Sequence, residues 1–357
     1  MQRFRWTVAV PLLAVVVLAA VWGRQLSLLA DIPIFALLLA AVLAAVHHAE
    51  VVAHRVGEPF GALVLAVAVT VIEVGLILTL MISAGDKAAP LARDTVFAAI
   101  MITCNGIFGL VLLVGALRRR VAVFNAEGTG AALATVATLA TLSLVLPTFT
   151  TSQPGPQFSP AQLAFAAVAS LVLYGCFVAV QTIRHKEDFL PVEPGSGEAD
   201  EHDRPTARAA RTSAGLLLVA LVGVVGLAKA ISPAIESGVD AAGLPRAAVG
   251  VVIALLVLLP EALAAVRAAR GGRVQVGLNL ALGSAMASIG LTIPAVAVAS
   301  IWIDTPLLLG LGATEMVLLA LTVVVGLLTV VPGRATLLQG TVHLSLFGAF
   351  AFLAVAP

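Results

Sequence analysis

Long apolar stretches, separated by short polar segments, follow one another along almost the whole chain. A helix needs about twenty consecutive apolar residues to cross the hydrocarbon core of a bilayer. Charges, prolines and polar clusters divide the chain into predicted spans at 6–22, 32–53, 60–82, 95–117, 129–149, 161–182, 213–231, 247–267, 276–302, 306–331 and 336–356. The sequence therefore predicts an all-α membrane protein with eleven transmembrane helices.

Composition supports the same fold class. With 61% apolar and only 11% charged residues, a water-soluble globule would expose most of its hydrophobic side chains. The net charge of +1 and the scattered arginines exclude a nucleic-acid-binding surface. The membrane segments carry no HExxH, GxSxG or paired-aspartate motif, so we predict that the chain is not an enzyme.

The basic residues predict the orientation, because cytoplasmic loops of bacterial membrane proteins are rich in Lys and Arg. With the N-terminus inside, the cytoplasmic segments hold fifteen of the twenty basic residues: Arg3, Arg5, Arg55, Arg118, Arg119, Arg120, Arg184, Lys186, Arg204, Arg208, Arg211, Arg267, Arg270, Arg273 and Arg334. We therefore expect a multi-pass protein of the bacterial inner membrane, with its N-terminus cytoplasmic and its C-terminus outside. The first apolar run lacks a clear small-x-small cleavage site and is predicted to be retained.

One long polar segment, 184–212, is rich in Pro, Gly and mixed charge and lacks the apolar surface to fold alone. We interpret it as a cytoplasmic linker, either a flexible connector or a sensor of Ca²⁺ or pH. It divides the chain into an N-terminal helix (1–30), a first repeat (31–183) and a second repeat (213–357). Five helices in each repeat place the second copy upside down, which is the plan of many secondary transporters.

Two glutamates, Glu73 and Glu261, lie in the middle of apolar stretches on the second helix of each repeat. A carboxylate at mid-bilayer costs roughly 2.5–3.5 kcal/mol on insertion scales, so an intramembrane pair indicates a function. We expect both to bind a transported cation and protons. The alternatives are an ion pair with Lys229 or a protonated structural role.

The helix after each glutamate carries small or polar residues that are candidates for completing the site: Thr103 and Asn105 in the first half, and Asn279, Gly283, Ser284 and Ser288 in the second. Pro260, beside Glu261, removes a backbone donor and frees carbonyl oxygens. An all-oxygen site suits a hard cation such as Ca²⁺, or Na⁺ or K⁺ with less charge. In a low dielectric the same carboxylates would be protonated without a cation, which outlines an antiport mechanism.

Further polar residues lie near helix ends. His47, Glu50 and His54 share one face of the second helix, followed by Glu58. They are candidates for proton entry, for pH regulation or, for the histidines with Glu50, for a metal such as Zn²⁺. Glu315, on the tenth helix, has no clear counterpart in the first half and is a candidate for the proton path or for a structural role.

Other transport functions remain open from the residues alone. An uncoupled cation channel could use the same carboxylates. A transporter of small organic solutes would need a roomier and more polar or aromatic cavity than three Trp and one Tyr suggest.

The stretches 47–81 and 258–296, together with GATEMV at 312–317, resemble the ChaA-type bacterial calcium(sodium, potassium)/proton antiporters of the cation/Ca²⁺ exchanger superfamily. The resemblance covers nearly the whole chain and implies two repeats that each supply a cation-binding glutamate, here Glu73 and Glu261. It also implies no cofactor besides the transported cation and H⁺, with inorganic cations, protons and the bilayer as the partners. Many members carry Gly-Asn shortly before the glutamate, whereas this chain has VTVIE and LLPE, so the ion preference does not follow from the resemblance.

Overall fold

The computed structural model describes residues 6–24, 28–57, 60–84, 89–192, 205–245, 247–303 and 305–356. Its regular elements are α1 (Trp6–Val21), α2 (Leu28–Val56), α3 (Phe60–Ala84), α4 (Leu91–Met101), α5 (Phe108–Arg119), β1 (Ala122–Val123), α6 (Ala126–Ala140), α7 (Leu146–Phe149), α8 (Pro160–Ala179), α9 (Ala207–Ala241), α10 (Ala247–Arg270), α11 (Val274–Ala299), α12 (Ala313–Val330), β2 (Arg334–Ala335) and α13 (Leu337–Val355).

Three membrane segments combine α-helix with π-helical turns. Ile102–Ile107 joins α4 to α5, Thr141–Val145 joins α6 to α7, and Val180–Arg184 extends α8. A 3₁₀ turn, Lys186–Phe189, follows. Because π-helical turns change the register of a helix, they alter which side chains face the neighbouring helices.

Ten helical segments of the described residues are long and apolar enough to cross a membrane, and α1, with 16 residues, is shorter. This confirms the predicted all-α membrane protein, with eleven apolar helical segments in the expected order. Helix α9 begins at Ala207, inside the predicted linker 184–212, because Thr206 caps it by accepting the Ala209 N–H at 3.2 Å while Arg208 and Arg211 face outward.

The two halves of the chain interlock. Helix α3, from the first half, packs against α11, from the second, and α10 packs against α4 and α5. Helices α2 and α9 pack along each other, and α1 packs against both. This exchange of partners brings the helices of Glu73 and Glu261 together at the centre of the protein.

The connections at one end of the helices are tied together by a short antiparallel ladder and by helix caps. In the ladder, Ala122 pairs with Ala335 and Val123 with Arg334. The Asn125 side chain caps α6 by accepting the Glu127 N–H at 2.9 Å and the Gly128 N–H at 3.2 Å. These contacts fix the ends of α5, α6, α12 and α13 at the same side of the protein.

At the opposite end, an extended segment, 306–312, crosses the helix ends. Its leucines Leu307, Leu309 and Leu311 are buried. Backbone N–H groups of the segment donate to three separate parts of the chain: from Leu308 to the Ala89 carbonyl at 3.2 Å, from Gly310 to the Pro156 carbonyl at 2.9 Å and from Leu311 to the Leu144 carbonyl at 2.8 Å. This segment therefore covers the protein at the side opposite the ladder.

Candidate ion-binding site

Glu73 is buried on α3 and accepts hydrogen bonds from two hydroxyl groups of α11. Ser288 Oγ lies 2.8 Å from Glu73 Oε1 and 2.7 Å from Oε2, and Thr292 Oγ1 lies 3.1 Å from Oε2. Residues four apart on a helix share a face, so α11 presents both hydroxyls to the carboxyl group. The close packing of α3 on α11 thus joins a glutamate of the first half to hydroxyls of the second.

Glu261 lies on α10 and is also buried. Its Oε2 has no hydrogen-bond partner among the residues that the structure describes. A buried polar atom without a partner is costly, and such atoms mark sites where a ligand or proton can bind. The two carboxyl groups therefore differ, since Glu73 is held by hydroxyls and Glu261 has an oxygen available.

Both glutamates line one cavity of about 240 Å³. Gly283, Ser284 and Ser288 of α11 line it as well, together with Asn279. The structure thus brings four of the six candidate small or polar residues to the same cavity as the glutamates. The rest of the lining is mainly apolar, with Tyr174 and Phe177 from α8.

The cavity occupies only one side of the protein along the direction of the helices. Its lining on α3 runs from Leu65 to Glu73 and on α11 from Val276 to Ser288, near the starts of those helices, and Gln181 belongs to the end of the α8 segment. Beyond Glu73, the α3 side chains Leu76, Ile77, Leu80 and Met81 are buried in the core. Among the described residues, the space next to the glutamates therefore extends toward the side that carries the β1–β2 ladder.

The other two candidates, Thr103 and Asn105, are not among the described residues that line the cavity. The Thr103 hydroxyl donates to the Ala99 carbonyl at 2.6 Å. Asn105 Nδ2 donates to Thr322 Oγ1 at 2.8 Å, and Asn105 Oδ1 lies 3.1 Å from His343 Nδ1. The Asn105 side chain therefore belongs to a buried polar network with α12 and α13, whereas the Thr103 hydroxyl is bonded to its own helical segment.

The candidates for proton entry lie apart from the cavity lining. His47 and His54 are exposed, whereas Glu50 is partly buried and interacts electrostatically with Glu261 and Arg267. In the described part of the chain, no group of three or more His, Cys, Asp or Glu side chains could hold a metal ion, so the zinc interpretation gains no support there. Glu58 lies outside the described residues.

Glu315 and Lys229 also lie away from the cavity. Glu315 occupies the first turn of α12, where a carboxylate is favourable because of the helix dipole. It lies close enough to Asp94, at the start of α4, for the two carboxylates to repel each other. Lys229 Nζ lies 5.3 Å from the centre of the Trp22 ring. That position indicates a cation–π contact for Lys229 rather than the considered ion pair with a site glutamate.

Thr292 is the residue that the sequence analysis missed. It follows Ser288 by four residues on an apolar helix, so its spacing was a usable signal. Thr70, one turn before Glu73, lines the cavity and was missed as well. A single hydroxyl in an apolar helix is a weak signal, because it can bond its own helix backbone, as Thr79 does with the Gly75 carbonyl.

The family model for the sodium/calcium exchanger protein matches residues 6–183 and 212–356, on both sides of the polar linker. This chain belongs to the sodium/calcium exchanger family. The match confirms the resemblance to the cation/Ca²⁺ exchanger superfamily. Members of this family are transporters, so the exchanger described here is not an enzyme.

Two relatives cover nearly the whole exchanger. It is 45% identical to a Sinorhizobium fredii protein that carries the name ionic transporter y4hA, over 99% of this chain and 96% of that protein. It is 35% identical to the sodium-potassium/proton antiporter ChaA of Escherichia coli, over 95% of this chain and 93% of the relative.

Solved structures share the fold. The structure of native YfkE aligns with a TM-score of 0.71 and 16% identity over 99% of both chains. The H⁺/Ca²⁺ exchanger CAX aligns with a TM-score of 0.68 and 15% identity, over 97% of this chain and 86% of the other. At these identities the comparison establishes the architecture.

Proposed function

We propose that this protein is a secondary active cation/proton antiporter that exports Ca²⁺ in exchange for H⁺, with Glu73 and Glu261 as the shared binding groups. The observation that carries the proposal is that two glutamates from opposite halves of the chain line a single cavity. The names of relatives agree with it, since the Escherichia coli relative is a cation/proton antiporter and CAX is an H⁺/Ca²⁺ exchanger.

Charge balance explains why one site can exchange the two kinds of ion. Two carboxylates carry a charge of −2, which a divalent cation or two protons neutralise equally well. Leaving both charges without a counter-ion in a low-dielectric interior is strongly unfavourable. Binding of the cation therefore requires release of protons, and binding of protons requires release of the cation. This is the coupling that antiport needs.

The available oxygen atoms suit a hard cation. Ca²⁺ takes six to eight oxygen ligands from carboxylates, carbonyls and water. The carboxylates of Glu73 and Glu261 and the hydroxyls of Ser284 and Ser288 line the same space. A fully charged pair matches Ca²⁺ better than a monovalent ion, which would leave a net negative charge at the site.

One-sided access favours exchange over an open channel. Within the described part of the chain, the cavity reaches the glutamates from one side, while buried apolar side chains of α3 and the extended segment 306–312 cover the other. A channel would need a continuous path. With the orientation predicted from the basic residues, the cavity opens toward the cytoplasm, as the loading state of an exporter requires.

The cavity also argues against a transporter of organic solutes. Pockets for drug-sized ligands usually measure about 300–1,000 Å³. The cavity of about 240 Å³ is smaller and has few polar groups besides the glutamates and α11 side chains. It is large enough for a partly hydrated inorganic cation.

Purified protein in vesicles with an internal pH dye tests the proposal. An outward Ca²⁺ gradient should drive proton movement in the opposite direction with a fixed stoichiometry, at clamped potential. The same measurement is made in parallel with Na⁺ and with K⁺, the two cations in the name of the Escherichia coli relative. A response to either of them without a response to Ca²⁺ would overturn the ion assignment. Current that reverses at the cation potential without proton counter-movement would establish a channel.

We expect the hydroxyls that hold Glu73 to contribute to cation affinity. Hydrogen bonds to charged groups are worth about 1.5–3 kcal/mol, so Ser288→Ala should raise the KM for the cation roughly 10- to 150-fold. Thr292→Val, which loses one longer bond, should have a smaller effect in the same direction. Cation-dependent proton flux measures both.

Thr79→Val is the matched control for these hydroxyl variants, because the Thr79 hydroxyl donates to the Gly75 carbonyl on the same helix as Glu73. It should leave the KM nearly unchanged. Equal KM values for Ser288→Ala and Thr79→Val would show that the hydroxyl contact with Glu73 has no part in cation binding.

A further inference from the structure

The 3₁₀ turn after the α8 segment contacts two residues that line the cavity, Phe177 and Asn279. Lys186–Phe189 form a single 3₁₀ turn. The Phe189 side chain is buried, and its ring meets the Phe177 ring edge-on, with the ring centres 5.6 Å apart. Since Phe177 lines the cavity, the first turn of the linker contacts the cavity wall directly.

Asn279 makes a second connection between this turn and the cavity. Its Nδ2 donates to the Phe189 carbonyl at 2.7 Å, and its Oδ1 accepts from Gln275 Nε2 at 2.8 Å. Gln275 Oε1 accepts the Asn125 N–H at 2.7 Å. The Nδ2 of Asn279 therefore ties α11 to the turn, and its Oδ1 is occupied by Gln275 of the same helix, which is the pattern of a positioning residue rather than of an ion ligand.

Gly128 gives independent evidence that the turn is seated closely. A Cβ at this position would overlap the backbone carbonyl of Asp188, so only glycine allows α6 to approach the turn this closely. At Gly130, two residues later on the same helix, an added Cβ would have a Val330 methyl group as its nearest neighbour, at 3.7 Å, which is an ordinary van der Waals contact. Close packing against the turn is thus specific to Gly128.

We infer that Asn279 and Gly128 hold the first turn of the linker against the mouth of the cavity, and that this docked turn restricts access to the ion site. The inference rests on the proposed transport through the cavity. Asn279 and Ser288 lie on one continuous helix, nine residues and therefore about 13 Å apart. Displacement of the turn would therefore act on α11, the helix whose hydroxyls bond Glu73.

Access can be measured without transport. Gly283 lines the cavity and has open space at its Cβ position, so Gly283→Cys introduces a reporter thiol there. Cys176, which is exposed, is replaced by Ser, whereas Cys104 is buried. The rate of labelling by a small cationic methanethiosulfonate reagent then reports how freely a cation-sized molecule reaches the site.

In this background, Gly128→Ala and Asn279→Leu should each raise the labelling rate about fivefold, a typical size for coupling through a packed element. Gly130→Ala, the matched control, should stay within about twofold of the parent. The double variant Gly128→Ala with Asn279→Leu should add little to either single variant, because both release the same turn.

Unchanged labelling in both Gly128→Ala and Asn279→Leu would overturn the inference. So would an equal increase in Gly130→Ala, which would show general loosening of α6 rather than release of the turn. Labelling needs no proton or cation gradient, so the two tests can fail separately. Absence of exchange in the unmodified protein would contradict the proposed function, whereas the labelling rates would still decide whether the turn restricts access.

Discussion

Replacing Glu73 or Glu261 by glutamine is expected to abolish exchange while the protein still inserts and folds. Glutamine keeps the shape of the side chain but supplies neither negative charge nor a transferable proton. Removing one partner from a buried charge site costs about 3–5 kcal/mol, so cation-driven proton flux should fall roughly 100-fold or more. The measurement is the initial rate of proton movement in vesicles that contain equal amounts of protein.

Glu127→Gln is the matched control for these two variants, because Glu127 is an exposed carboxylate in the first turn of α6 and does not line the cavity. It should retain near-normal flux. If Glu73→Gln or Glu261→Gln kept the flux of the control, the two glutamates could not form the shared site. Loss in only one variant would assign cation and proton coupling to that carboxyl group alone.

The second large effect is a rise in cation affinity with pH. Protons and cations compete for the same carboxylates, so below the titration range the site is protonated and the cation must displace protons. If two protons leave per cation, the apparent affinity should rise about 100-fold per pH unit and then level off once both carboxylates are deprotonated. A monovalent cation that displaces one proton should gain only about tenfold per unit.

The pH series must be run at clamped potential, because the membrane voltage adds about 2.3 kcal/mol per net charge per 100 mV. The slope then separates Ca²⁺ from Na⁺ or K⁺ exchange and gives the proton stoichiometry. A cation affinity that stays constant from about pH 6 to 9 while protons are still counter-transported would require separate sites for the two ions. Glu73 and Glu261 would then serve only one of them.

Sequence reasoning was most successful for groups that are costly in a membrane. An intramembrane carboxylate has few structural explanations, so Glu73 and Glu261 were identifiable without any tertiary information. The structure brings both to one cavity. Their function in binding the transported ions stays a proposal that the glutamine variants test.

Sequence reasoning was less successful for hydroxyls and amides, because these groups have several ways to satisfy their hydrogen bonds inside a membrane protein. Asn105 and Ser288 looked equivalent as polar residues on corresponding helices. In the structure, Ser288 faces Glu73, whereas Asn105 bonds Thr322 and His343. The π-helical turn that contains Asn105 changes the register there, and no pattern in the sequence indicated it.

The sequence by itself determined the fold class, the number and order of the apolar segments and the two intramembrane carboxylates, because each follows from the cost of placing polar groups in lipid. The tertiary structure decided which hydroxyls bond Glu73 and that Glu261 keeps an oxygen without a partner among the described residues. It also decided that the cavity lies toward the side of the protein that carries the β1–β2 ladder. These properties depend on how α3, α10 and α11 are rotated and packed against one another. Many rotations bury an almost uniformly apolar helix equally well, so only packing with the neighbouring helices selects one.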